Sequence, residues 1–210
     1  MKPDMESLPH TNIGDQNTLL QIDLTDPEYE ALARFAHRIA KLLSGPTVQA
    51  DANLTGSLDD LLGAVYALIL AKRGDFADRT DRPIEIAAVR KRAGQIEKGE
   101  VRIDGKWMAG FHFNSALFRA AAVYHRILKI AVGRPATEDN VPKLREEATK
   151  LYHGWKKATW SNRHIHALHV QVNALKHTPR GVHDKRTVRY KDAVAGVSEL
   201  LDLIEAWKGG

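Results

Sequence analysis

The residues best equipped for chemistry lie in one stretch, "VNALKHTPRG" at 172–181. A helical pattern reaches Asn173, Lys176 and His177 and is then stopped by Pro179 and Gly181. In the segment leading to it, Arg163, His166, Val170, Asn173 and His177 recur at intervals of three, four, three and four residues. That spacing stacks them along one helical face, flanked by His169 and Lys176, with Ile165, Leu168, Val172 and Leu175 on the other. The carbonyl end of a helix favours a protonated histidine, and a histidine that titrates near neutrality can exchange protons. A nearby cation then stabilises negative charge developing on a phosphate. The chemistry these types suggest is proton exchange by His177, with Asn173 and Lys176 beside it on the helix. A solvated helix end, with Lys176 and His177 complementing the dipole, has the same pattern.

The charge around this stretch is uneven. Residues 150–191 hold ten Lys or Arg against a single acidic residue, Asp184, whereas residues 1–30 hold seven Asp or Glu and one Lys. Such asymmetry points to an anionic partner for the basic part, nucleic acid above all, or to the acidic end folding back on it. Arg163, His166, Arg180, Lys185, Arg186 and Arg189 are the candidates for binding a nucleic-acid backbone, in a salt-dependent way. Trp155, Trp160 and Tyr190 are either base-stacking platforms or core, and for the tryptophans the core is the commoner fate.

The segment "VNALKHTPRG", followed by a basic loop and a final amphipathic helix, resembles the HEPN-like domains of prokaryotes. The resemblance covers mainly residues 107–208. It implies a small helical bundle, usually dimeric, many of whose members are metal-independent ribonucleases of defence and toxin–antitoxin systems. Asn173 matches the family's polar position and His177 its histidine, whereas Val172 stands where the family has an arginine. For an active member the resemblance implies that His177 moves a proton at a ribose 2′-hydroxyl or a 5′-oxygen, Asn173 orients phosphate or imidazole, and Lys176, Arg180 or Arg119 holds the charge. The looser arginine-to-histidine spacing also occurs at Arg119–His125 and Arg163–His169. Arg119 shares a polar stripe with His112, Ser115 and Arg126, and would supply the missing guanidinium if its helix packed beside the one carrying Asn173. The partners implied are RNA, a second copy of the chain, and a cognate antitoxin or effector protein. A non-catalytic helical module that binds RNA or a protein is the alternative.

Other chemistries find little support. Five of the ten histidines fall between 164 and 183, but there is no cysteine, carboxylates are scarce nearby and the surrounding charge is positive, so no metal or cofactor is expected. No glycine-rich phosphate loop or Ser-His-Asp set is present.

The elements that must position these residues read as all-α. "DPEYEALARFAHRIAKLLSG", "SLDDLLGAVYALILAKRG", "WMAGFHFNSALFRAAAVYHRILKIAVG", "TEDNVPKLREEATKLYHGW", "SNRHIHALHVQVNALKH" and "YKDAVAGVSELLDLIEAW" are six helices by period. Asp26 is the expected cap of the first, and Ser57 with Asp60 a capping box for the second. A short helix is expected in "RPIEIAAVRKRAGQ" and a small hairpin, turning at Asp104–Gly105, in "GEVRIDGKW". The domain reading is a mobile acidic arm at 1–26, a helical extension at 27–106 and a HEPN-like four-helix core at 107–208. The longest apolar run, "LLGAVYALILA", is short for a bilayer, and "MKPDMESLPHTNIGDQ" lacks the apolar core of a signal peptide. The expected location is the cytoplasm, without a membrane partner.

Overall fold

In the computed structural model, described for residues 21–74, 86–100, 105–135, 140–152, 155, 163–177 and 188–208, all regular structure is helical. At 92, 105–107, 163 and 174–177 the account is of helix backbone alone. Helix α1 (Pro27–Leu43) starts as its sequence dictates. The Asp26 carboxylate accepts from the backbone N–H groups of Glu28 and Tyr29, and Pro27 occupies the first turn, where no N–H is needed. Leu32, Phe35 and Ile39 form its buried stripe. A one-turn helix, α2 (Pro46–Gln49), follows, with Gly45 as its N-cap.

Helix α3 (Ala52–Arg73) begins five residues before the expected capping box. Asp51 takes the cap by accepting from Asn53 and Leu54 N–H. Ser57 is therefore an interior residue, fully buried, whose Oγ donates to the Asn53 carbonyl at 2.8 Å. Two strong caps compete here, and the one that lets Leu54 join the core wins. By length and mean hydropathy (1.5 over 18 residues) α3 would suffice to cross a membrane, and half of that window is buried inside the bundle. Leu62 and Tyr66 lie on its exposed side.

Helix α4 (Ile86–Glu97) has no extensive contact with another described helix, and Ile86, Val89 and Ile96 are exposed. Helix α5 (Gly105–Val132) starts where the hairpin's turn was expected. Gly105 is its first residue, and residues 101–104 lie outside those described. The helical period of the apolar residues from Ala109 onward, buried against α3, outweighs the local Asp-Gly turn signal.

The remaining helices are α6 (Val141–Leu151), capped by Asn140, α7 (Arg163–His177) and α8 (Tyr190–Lys208). The most extensive contact in the molecule is α3 against α5; α5 also packs on α6 and α7, α7 on α8, and α8 on α1. One hydrophobic cluster runs through all of these, so residues 27–74 share a core with α5 to α8. Its largest members, among them Trp155, Tyr124, Leu68, Ile127 and Ile165, are fully buried, each aliphatic side chain contributing about 2 kcal/mol in area terms. Ion pairs clasp the edge. Arg38 on α1 donates to Glu205 and Asp202 on α8, at 2.8 and 2.6 Å. Lys72 at the end of α3 meets Asp26 at 2.8 Å and also Glu28. Of the arm expected at 1–26, residues 1–20 lie outside the described part.

Candidate functional site

Two features of α8 set the position of α7. Glu199 accepts from the Ile165 backbone N–H at 2.9 Å and from His164 Nδ1 at 2.7 Å, so a carboxylate satisfies the first turn of α7, as the helix dipole favours. Gly196 lets the two backbones close up. A Cβ there would lie 3.3 Å from Ile165 N and 3.4 Å from its Cα. At the other end, Gln171 Oε1 accepts from Val188 N–H at 2.7 Å.

Held in this way, α7 forms one wall of an open groove of about 630 Å³, with α5 and α3 as the others. From α7 come His169, Val172 and Asn173; from α5 Ser115, Phe118, Arg119, Ala122, His125 and Arg126; and from α3 Asp60. The α5 residues recur every three or four positions, the spacing of one helical face. Val172 and His169 are buried at the floor, while Asn173 and Phe118 are exposed. The rings of His125 and His169 meet edge to face, with centroids 5.9 Å apart, and Tyr124 packs on His169 at the same distance.

Electrostatically the groove is organised around one carboxylate. Asp60 Oδ1 accepts from Arg119 Nη1 at 3.0 Å, and its Oδ2 is in direct contact with Arg126 Nη2. Space for this is cut into α3. A Cβ on Gly63 would sit 3.0 Å from Arg119 Nη1. The three side chains are between a third and a half exposed, so the unit is accessible to a ligand. Two guanidiniums against one carboxylate leave a surplus positive charge, and the arginine donors that Asp60 does not engage remain able to bind an anion.

The structure thus brings together Arg119 and Asn173, which come from different helices. Lys176 and His177 are the last residues of α7 after Asn173, and of their side chains only the position on the helix is described. Arg163 is the first residue of the same helix. Arg189 is exposed at the start of α8. Arg180, Lys185, Arg186 and Trp160 lie outside the described residues.

Burial bears on three further residues that the sequence left between core and surface. His166 does not lie on a freely solvated face. Its ring is half buried, Nδ1 is buried with no hydrogen-bond partner, and burial, helped by the charge of Arg145, pushes its pKa below the ordinary value of 6.5. That shift disfavours the charged ring. Trp155 is fully buried between Tyr152 and Trp207, with centroids at 5.7 and 6.2 Å. Tyr190 is buried too, its hydroxyl donating to the Leu68 carbonyl at 2.8 Å and its pKa pushed up by burial. Neither presents a face to a base, whereas Phe118 lines the groove and is partly exposed.

Asp60, Phe118 and the His125–His169 pair were not recognised as site residues in the sequence. The stripe from His112 to Arg126 was a usable signal for the α5 side. Nothing local pointed to Asp60, which is separated by 59 and 66 residues from the arginines it holds. Among the described residues no group of three or more His, Asp or Glu side chains is arranged to hold a metal ion. No family model, curated protein or solved structure matches this chain.

Proposed function

We propose that this is a HEPN-like, RNA-associating protein, and that the groove between α3, α5 and α7 holds an RNA phosphate. The observation that carries the reading is the convergence of Arg119 and Arg126 in an accessible groove that also contains Asn173. Guanidinium groups with free donors are the side chains best matched to phosphate oxygens, and exposed Phe118 beside them offers a face for a base. On this reading a second copy of the chain and a cognate antitoxin or effector are further partners.

A specific observation favours cleavage by the same groove. The guanidinium that Val172 cannot provide is available from Arg119, on the wall facing Asn173. His177, one turn beyond Asn173 on α7, takes the proton of a ribose 2′-hydroxyl. The 2′-oxygen then bonds to phosphorus, the bond to the 5′-oxygen breaks, and that oxygen takes a proton from water while His177 gives its own back to solvent, leaving a cyclic phosphate and a 5′-hydroxyl end. Arg119 offsets the charge that builds up on the phosphate.

The test is incubation of end-labelled single-stranded RNA with the purified protein in EDTA at two salt concentrations, beside His177→Ala and Arg119→Ala. Cleavage that disappears in both variants establishes a metal-independent ribonuclease. Salt-sensitive retention of intact RNA, weakened by Arg119→Ala alone, identifies a binding module. RNA that is neither cut nor retained would sink the proposal.

A further inference from the structure

The fork formed by Arg119, Asp60 and Arg126 has a geometry more particular than a basic patch. Arg119 and Arg126 are seven residues apart on α5, about two turns or roughly 10 Å along the axis. Their guanidiniums nevertheless meet on one carboxylate, one at each oxygen, with Arg119 Nη1 to Oδ1 at 3.0 Å. Gly63 clears the room that Arg119 needs to lie against α3. Arginines that track a polyanion are spread along it, whereas these two define a single point at which one oxyanion group sits. In the resting protein that group belongs to the chain.

Its presence imposes a condition on any ligand. A group with one negative charge, whether a side-chain carboxylate or an internal phosphodiester, exchanges like for like with Asp60 and gains little. A phosphomonoester brings close to two charges near neutral pH and three strong acceptor oxygens. Two oxygens suffice to bridge both guanidiniums, and the additional charge is attracted by both arginines. An aspartate placed there therefore selects against acidic protein partners and for the most highly charged phosphate available.

We infer that the Arg119–Asp60–Arg126 fork is a binding site for one phosphomonoester, the terminal phosphate of a nucleic-acid strand, and that Asp60 sets this preference. The inference rests on the RNA-binding reading, stands as the alternative to cleavage of an internal phosphodiester at Arg119, and adds which part of the strand the groove grips. Phe118, lining the same groove, is placed to stack on the base next to that end.

Fluorescence anisotropy on an internally labelled ten-nucleotide RNA tests it, with one sequence made in three forms: hydroxyl at both ends, 5′-phosphate, and 3′-phosphate. Deoxyribose at every position prevents cleavage and leaves the termini unchanged, so the same three forms in DNA serve as the uncut control. The wild-type protein is expected to bind one phosphorylated form more than tenfold tighter than the hydroxyl form. Arg126→Gln should bring that ratio close to one, and Arg126→Lys, which keeps the charge and loses the fork, should restore it only in part. Asp60→Asn should tighten binding of the hydroxyl form and so shrink the ratio from the other side. Circular dichroism and melting curves check that each variant is folded; the side chains changed are surface ones.

The possible outcomes separate the two claims. If all three forms bind the wild type within twofold of each other, the strand-end inference is overturned and the RNA-binding reading stands. If no form binds, both fall. A nucleoside monophosphate that binds as tightly as the phosphorylated strand would make the ligand a free nucleotide, which also overturns the strand-end assignment.

Discussion

Two ion-paired regions of this molecule are built from the same side-chain types in opposite proportions. Around α1 the cations form a clasp: Arg38 faces two carboxylates of α8, Asp202 and Glu205, and Lys72 of α3 likewise faces Asp26 and Glu28. At the groove, one carboxylate, Asp60, faces two guanidiniums. The clasp cations are the more enclosed, with Arg38 25% and Lys72 21% exposed, against 48% and 44% for Arg119 and Arg126. A cation outnumbered by carboxylates is consumed by the fold. The Glu205 and Asp202 carboxylates accordingly hold the Arg38 pKa above its usual range. Cations that outnumber their carboxylate keep binding capacity, and an open groove presents it to solvent. The difference in proportion, rather than the presence of salt bridges, separates the structural clasp from the candidate site.

The largest expected effect comes from a change that damages the frame of the groove while leaving both sets of charges in place. Gly196→Leu forces α8 away from the start of α7, where a Cβ already meets Ile165 N at 3.3 Å. Overpacking of this kind should cost about 3 kcal/mol, read as a lowered denaturant midpoint. An unchanged midpoint would mean that the α7–α8 contact does not hold the groove wall. Next in size is a crossed pair of variants. Arg119→Gln should weaken RNA binding about tenfold and leave the melting temperature within a degree or two. Arg38→Ala should do the reverse, lowering stability by about 1 kcal/mol with affinity retained. If both variants moved both readouts alike, the proposed division between clasp and groove would be wrong.

The smallest effect is a dependence on pH. Burial lowers the folded-state pKa of His166, so the unfolded chain binds a proton more readily than the folded one. Stability should then rise with pH through this group. The penalty sets in as pH falls below about 6.5 and levels off once the folded-state pKa is passed. His166→Gln should flatten the melting-temperature profile between pH 7 and 5. A profile unchanged by the substitution would place the acid sensitivity elsewhere.

Much of the frame was legible from local pattern. The Asp26 cap, the stripe Leu32–Phe35–Ile39, and the inward face Ile165–Leu168–Val172 follow from rules that act within one or two helical turns, and the structure carries all three. Where two local signals competed, as at Asp51 against Ser57 or a hairpin turn against the start of α5, the alternative that buried more apolar surface prevailed. The polar stripe on α5 could be read as a possible source of the missing guanidinium; whether it faced α7 could not. The fates of Trp155, Tyr190 and His166 were likewise undecided, because amphipathic rings can end in the core or at the surface, and the neighbours that decide between them are distant in the chain.

By itself, then, the amino-acid sequence determined that this chain is helical, where most of its helices begin and end, and which faces turn inward. Helix capping and the 3.6-residue period are local, and their energetics are contained in a few consecutive residues. Only the tertiary structure decided that Arg119 shares a groove with Asn173, and that Asp60 sits between two arginines in space opened by Gly63. Those relations depend on how helices from three parts of the chain pack against one another. Packing is settled by the fit of the whole core, which no single segment encodes.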